Sequence, residues 1–525
     1  MPGSWRKRPM LNDLGGQGAI SRAADFIVIG AGTVGLPISV LLARKTGATV
    51  ICLETGGLRQ EEDTHPLNEV VQQGMFYKGA SHGRFRCLGG TSMRWGGALI
   101  PFQNSDLCNA HWPISLDELT PFIGDVERLF SLEPGPYSDV SFPFELGGTH
   151  VNRLAKWPEF RKRNVAALLD ADVAAAANLQ VWLNAHVVNI KTQTEGVRLE
   201  AVSPNGDRLA ISGRKLIVAA GAIETTRLAL LIDRQNNGAV SALTSALGHN
   251  FTDHISAEVA EIVASESALL NKIVGFRFGA AGSMRNIRFE LAPQAEARRH
   301  LPPGFCHIGF EVEKPGGFDV LREIFRNVQR RKSPPPRVMF DLIANTPWLA
   351  RAMWWRLVNK RLLFPAHSRL IVHAVVEQLP SPNNRITLSD TCCDRFGLPL
   401  AEINWRLSAE DKENVIETSE LFKRTWRTSK FASLGVWKSI EPQQIWANID
   451  NAEGIFHPTG STRMGACPAD GVVDKNLNLF GVANVQLLAT SVLPTGGGAN
   501  PTMMLLLLGM RCVNQHAAGS TPPKA

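Results

Sequence analysis

The sequence predicts an α/β protein in which dinucleotide-binding segments near the two ends of the chain enclose an α+β insertion. Three observations predict it. A strand–turn–helix–strand unit opens at Asp25, glycine-rich turns and an apolar helix follow His457, and the stretch from about Ser265 to Arg337 changes to mixed charge, prolines and phenylalanines. At 525 residues the chain is too long for one ordinary core, so two interleaved domains are expected. A composition of 44% hydrophobic and 20% charged residues is that of a folded globular protein.

Residues 1–21 read as a flexible leader. They carry positive charge but no following apolar run, so they do not read as a secretory signal. In FIVIGAGTVGLPISVLLARKTGATVICLETGG, a buried strand (Phe26 to Ile29), a glycine turn, an apolar helix and a second strand (Thr49 to Leu53) form a βαβ unit. The turn GAGTVG supplies Gly30 for its tight bend, Gly32 for close approach of backbone to a pyrophosphate, and Gly35 for helix–strand packing. The helix N-terminus offers unpaired N–H groups to the phosphates. Glu54 closes the second strand where a ribose hydroxyl needs an acceptor. Gly279 to Met284 and Gly496 to Asn500 are also glycine clusters, but neither sits between a clear strand and a spaced acidic residue, so one dinucleotide is expected.

Further strands are predicted around Trp182 to Asn189, from Arg214 into a helix ending near Leu230, at His367 to Pro380 and at Asn384 to Asp390. A helix is predicted over Ala409 to Thr425. The apolar run Met503 to Met510 is too short to span a bilayer. Eight cysteines without a CxxC pair suit reduced thiols, and the expectation is a soluble, cytoplasmic protein.

The net charge of +7 is mild, and no nucleic-acid-binding motif accompanies it, so nucleic acid is set aside. The densest basic cluster, Gln329 to Arg337, reads as a solvated linker, with an anionic partner or membrane surface as the alternative. The aromatic and basic stretch from Pro347 to Phe364 reads first as a core or cleft-covering helix and second as a membrane-surface or partner-docking helix. Membrane contact is therefore not the leading expectation.

HPTGSTRMG, from His457 to Gly465, places one imidazole before a glycine- and hydroxyl-rich loop. A histidine taken at random is more often packed than catalytic. Its motif does not stand alone. With GAGTVG and Glu54, RCLGGTSMRWGG (Arg86 to Gly97), LNAHV (Leu183 to Val187), VAAGAIETTRL, PNNRITLS and the C-terminal GGGANPT, the chain resembles the glucose–methanol–choline (GMC) flavoprotein oxidoreductases over nearly its whole length. TSMRWGG and GGGANPT look closest to pyranose-oxidase-like and sugar-dehydrogenase members.

The resemblance implies a Rossmann-like FAD-binding domain (22–115, 150–260, 445–525) interleaved with an antiparallel-sheet substrate domain (116–149, 261–444). It implies FAD and oxidation of an alcohol, most simply on a sugar or glycoside, with O2 or another electron acceptor. Gly90, Thr91 and Trp95 would lie along the flavin, the Val187 backbone would meet the adenine, and a helix starting near Thr502 would point its N-terminus at the flavin pyrimidine. His457 would take the substrate hydroxyl proton, and Asn500 would hold the developing alkoxide. Arg94 stands where some members link flavin through a histidine, so FAD is expected to be noncovalent. Gly96 replaces a threonine that one relative sets beside the flavin, and Ala489 an aspartate common in the family. His82, His111, His249 and His254 read as structural. The alternatives are an FAD-containing lyase of the same fold, an oxidoreductase for alcohols other than sugars, and a non-catalytic flavoprotein.

Overall fold

The βαβ unit forms where the sequence places it. In a computed structural model, which describes residues 10–520 apart from 61–63, 108–110, 280–281, 366–367, 451–454 and 499, strand Ala19–Ile29 enters helix Gly35–Thr46 and strand Val50–Leu53. All four residues of that second strand are buried, as a strand covered on both faces requires. The sheet built on this unit has eight strands. Leu11–Asp13, Leu179–Leu183, Val50–Leu53, Ala19–Ile29 and Arg208–Val218 run parallel, with Val485–Leu487 beside the last. Gly196–Val202 and His186–Gln193 extend it as antiparallel strands. Helix Thr502–Ser520 packs on this core through Met503, Leu506 and Leu507.

A seven-stranded antiparallel sheet carries the second core. Its order is Arg277–Phe278, Met284–Leu291, Gly304–Val312, Ser368–Glu377, His254–Ala264 and Gly435–Ser439, and His150–Trp157 pairs with Met284–Leu291. Helix Ala409–Thr428, opened by a Ser408–Asp411 capping box, buries Val415, Phe422 and Trp426 against it. A three-stranded sheet of Arg385–Cys393, Pro399–Trp405 and Val71–Gly74 completes the set.

Several expectations change. The leader is not loose as far as residue 21: Leu11–Asp13 pairs with Leu179–Leu183, and Ala19–Ile29 is one long strand. Residues 1–9 lie outside the described residues. The expected domain boundaries also shift. His150–Trp157 and the first seven residues of His254–Ala264, assigned by sequence to the FAD-binding segments, belong to the antiparallel sheet. Leu119, Val126 and Phe130, assigned to the other domain, pack into the dinucleotide-side core. Pro347 to Phe364 is not a core helix: Trp355 alone in helix Thr346–Asn359 is buried. The seven cysteines among the described residues form no disulfide, and no helix among those residues is long and apolar enough to cross a membrane.

Candidate active site

A cleft of about 650 Å³ runs from the end of the first βαβ unit to the start of helix Thr502–Ser520. At one end stands Glu54, buried, with its carboxylate accepting from the backbone N–H of Ala31 at 3.1 Å and of Gly56 at 3.0 Å. Burial pushes Glu54 up to about 7, against the pull of those N–H groups and of Arg86. Val187 and His186 line the same end. Midway, Gly90 adopts φ 52°, and a Cβ on it would stand 2.8 Å from Gly32 Cα. Two backbones therefore cross with no side chain between them, which leaves room for a pyrophosphate-like group. Gly35 does not line the cleft; a Cβ there would meet Gly30 O at 1.9 Å, so its role is packing of the turn. Trp95 donates from Nε1 to Arg163 O at 2.9 Å, which fixes its ring on the cleft wall beside Thr91. Arg94 donates to Gln60 Oε1 at 2.7 Å and lies over the Phe85 ring. Length, acceptor and backbone cradle suit FAD.

At the other end His457 and Asn500, 43 residues apart, meet at 3.3 Å between Nε2 and Nδ2. Arg288 decides which way the amide faces. A guanidinium only donates, so its Nη2, 2.9 Å from Asn500, holds the carbonyl Oδ1 and turns the NH2 toward His457. Neutral His457 therefore accepts at Nε2 and keeps its proton on Nδ1. Burial, then the positive side of His254 and Arg288, pushes His457 down to about 3, so the imidazole is neutral across the physiological range.

The loop that carries His457 is pinned by Asp253, a residue sequence reading missed. Asp253 Oδ1 accepts from the backbone N–H of His457 at 2.8 Å and of His254 at 2.7 Å. Its Oδ2 accepts from Phe456 N–H at 3.0 Å and from the buried Tyr77 hydroxyl at 2.8 Å. Thr252 and Thr459 exchange backbone hydrogen bonds beside it. His457 is thus stitched to the start of strand His254–Ala264, on the antiparallel sheet. Behind it His254 stands edge-on to His457, ring centroids 5.5 Å apart, and donates from Nε2 to Gly497 O at 2.7 Å. Of the other histidines, His249 bonds Pro382 O away from the pair, and His82 lines the cleft.

All the predicted site residues except Gly35 thus border one cleft. Arg288, Asp253 and Tyr77 were not legible from local motifs. A hint for Asp253 is its place at a strand start, but no spacing rule links it to His457.

Residues 380–509 match a family model described as GMC oxidoreductase. Over 93% of this chain and 94% of the relative, the sequence is 23% identical to 2-methyl-1,2-propanediol dehydrogenase of Mycolicibacterium austroafricanum. It is 23% identical to the fructose dehydrogenase large subunit of Gluconobacter japonicus over 63% of this chain, which spans about half (52%) of that subunit. Among solved structures, pyridoxine 4-oxidase from Mesorbium loti superposes with a TM-score of 0.58 at 15% identity, covering 94% of this chain and 98% of that one. A formate oxidase of Aspergillus oryzae gives 0.58 at 15% identity over 95% and 98%.

Proposed function

We propose that this chain, a GMC oxidoreductase by its C-terminal region and its fold, is an FAD-dependent enzyme that oxidises the CH–OH group of a small alcohol, with sugars and glycosides as the first substrates to test. The carrying observation is the His457–Asn500 pair, at 3.3 Å, at one end of a cleft whose other end holds Glu54. His457 Nε2 takes the hydroxyl proton. Asn500 Nδ2 donates to the oxygen left negative, and Arg288 keeps that amide turned the right way. FAD, when bound, would supply the acceptor for the hydride, which carries both electrons, while the hydroxyl proton goes to His457. Glu54 holds the ribose, and the Gly32–Gly90 crossing admits the phosphates. Arg94 has no atom that would take part in a flavin linkage, so the flavin is held without a covalent bond.

Two relatives support a polyhydroxylated substrate by their names: one is a diol dehydrogenase and one a fructose dehydrogenase subunit. The test is anaerobic mixing of the yellow protein with a panel of sugars, glycosides, polyols and simple alcohols. An oxidoreductase bleaches with its substrate, whereas a lyase of this fold turns over a cyanohydrin without bleaching. His457→Ala should stay yellow and slow bleaching by about 10²–10⁴-fold, the scale of a positioned base. Acid precipitation should carry all colour to the supernatant. Bleaching of His457→Ala at the wild-type rate would remove the base, and colour kept in the pellet would refute noncovalent binding.

A further inference from the structure

Helices Arg337–Ala344 and Thr346–Asn359 form a hairpin whose outward faces have no cover among the described residues. Of the sixteen large hydrophobic side chains exposed among the described residues, seven fall between Met339 and Val358. Phe340 is 74% exposed, Ile343 72%, Leu357 73% and Trp354 58%. At about 100° per residue, Met353, Trp354, Leu357 and Val358 occupy one sector of roughly 140°. Arg351 falls on one flank of that sector and Arg356 on the other, both exposed. On the first helix Met339, Phe340 and Ile343 share one face, and Arg337 lies beside it.

The charge around this face is mostly positive. From Gly317 to Lys360 the chain carries nine Lys and Arg against three Asp and Glu, a surplus of six in a protein whose net charge is +7. Water does not favour an apolar patch of this size, so a partner is implied. A ring of arginines around aromatic and aliphatic side chains matches an anionic lipid surface, where the apolar face enters the acyl boundary and the cations meet headgroups. Neither helix is long and apolar enough to cross a bilayer, so the hairpin would lie in the interface.

The segment that precedes the hairpin reaches the cleft wall. Helix Gly317–Gln329 precedes it, and the last residue of that helix, Gln329, donates from Nε2 to Ser92 O at 3.1 Å and to Trp95 O at 3.0 Å. Trp95 lines the cleft. The docking face is thus tied through one helix to the wall of the site.

We infer that the Arg337–Asn359 hairpin docks this protein on an anionic membrane surface. It takes up the second of the two readings that the sequence offered for Pro347 to Phe364, since the helix there is not buried in a core. It does not depend on the proposed chemistry, and its test does not read activity first. Full-length yellow protein is sedimented with vesicles of phosphatidylcholine alone or with about one-third phosphatidylglycerol, the latter fraction chosen to give a strongly negative surface. Binding is expected to rise with the anionic lipid and fall with added salt. The triple variant Phe340→Ser, Trp354→Ser, Leu357→Ser should bind at least about tenfold more weakly, because its apolar anchors are gone. Arg351→Glu should weaken binding roughly fivefold or more on anionic vesicles. Both variants should keep the flavin colour and unfolding temperature of the parent. Absence of wild-type binding at every lipid composition would overturn the inference. So would a parent that is dimeric in solution and a triple variant that is monomeric, since the face would then belong to a second copy.

Discussion

His457 and Arg288 share one hydrogen-bonded chain through Asn500, so the charge of one sets the proton affinity of the other. Burial first, then His254 and Arg288, hold His457 far below an ordinary imidazole. The acid limb of flavin reduction should therefore lie well under the usual histidine value of ~6.5. Arg288→Leu removes a positive neighbour, so the limb should move toward higher pH. It also frees the Asn500 amide to rotate, so the rate above the limb should fall by about 10–100-fold, the scale of a lost oxyanion donor or less. Arg288→Lys keeps the charge but not the fixed fork, so it should leave the limb in place while still lowering the rate. Stopped-flow reduction as a function of pH reads both quantities. A Leu variant with the parent's limb and rate would reduce Arg288 to packing over the Phe305 ring. The pair itself was legible, because its residues sit in two recognisable motifs. Arg288 was not, because it reaches Asn500 from 212 residues earlier in the chain and its local sequence says only that it lies on a strand.

Elements were legible where one period ran unbroken. Val50–Leu53 is a continuous apolar run and formed within a residue of its expected bounds, and the apolar helix expected before it formed as Gly35–Thr46. Pairing between distant strands was not legible, because β periodicity fixes which face is buried and not which strand lies alongside. Hence Leu11–Asp13 looked like a leader until Leu179–Leu183 gave it a partner. Pro347 to Phe364 was read first as a core or cleft-covering helix for a related reason: a helix rich in tryptophan and arginine reads alike whether its apolar side meets a core or a lipid surface. The glycine crossing carries a prediction at this scale. Gly90→Ala would set a methyl 2.8 Å from Gly32 Cα, at a φ of 52° that an L-residue adopts only at a cost of roughly 1–2 kcal/mol. Neither backbone is a flexible side chain that could yield, so the cleft should distort where phosphate must pass. The variant should fold but release FAD at least about tenfold more readily, by the scale of 1.4 kcal/mol per decade. FAD affinity equal to the parent's would mean that the dinucleotide does not cross there.

Across the whole molecule the site lies where two sheets meet, and the fold buries groups of opposite titration behaviour. Burial pushes His150 and His254 down to about 4, and with added positive neighbours it pushes His307 and His457 down to about 3. The unfolded chain protonates these histidines as pH falls through ~6.5 while the folded chain does not, so stability is lost as pH drops from there. Burial acts the other way on carboxyls, raising Asp253 to about 6, Glu54 to about 7 and Glu377 to about 8. Their folded values lie above the unfolded ones of ~4, so their contribution is present at low pH and lost as pH rises through the folded values. The two sets cross near pH ~6.5, where the thermal unfolding midpoint should peak and then fall on both sides. Glu377→Gln keeps an acceptor for the Gly496 N–H but removes the most alkaline of these titrations. The variant should lose part of the alkaline decline and shift the maximum to higher pH. A midpoint that climbs steadily from pH ~5 to ~9 in the parent, or an unchanged profile in Glu377→Gln, would show that these carboxyls ionise in the fold without cost, and that the closed site is wetter than its packing implies.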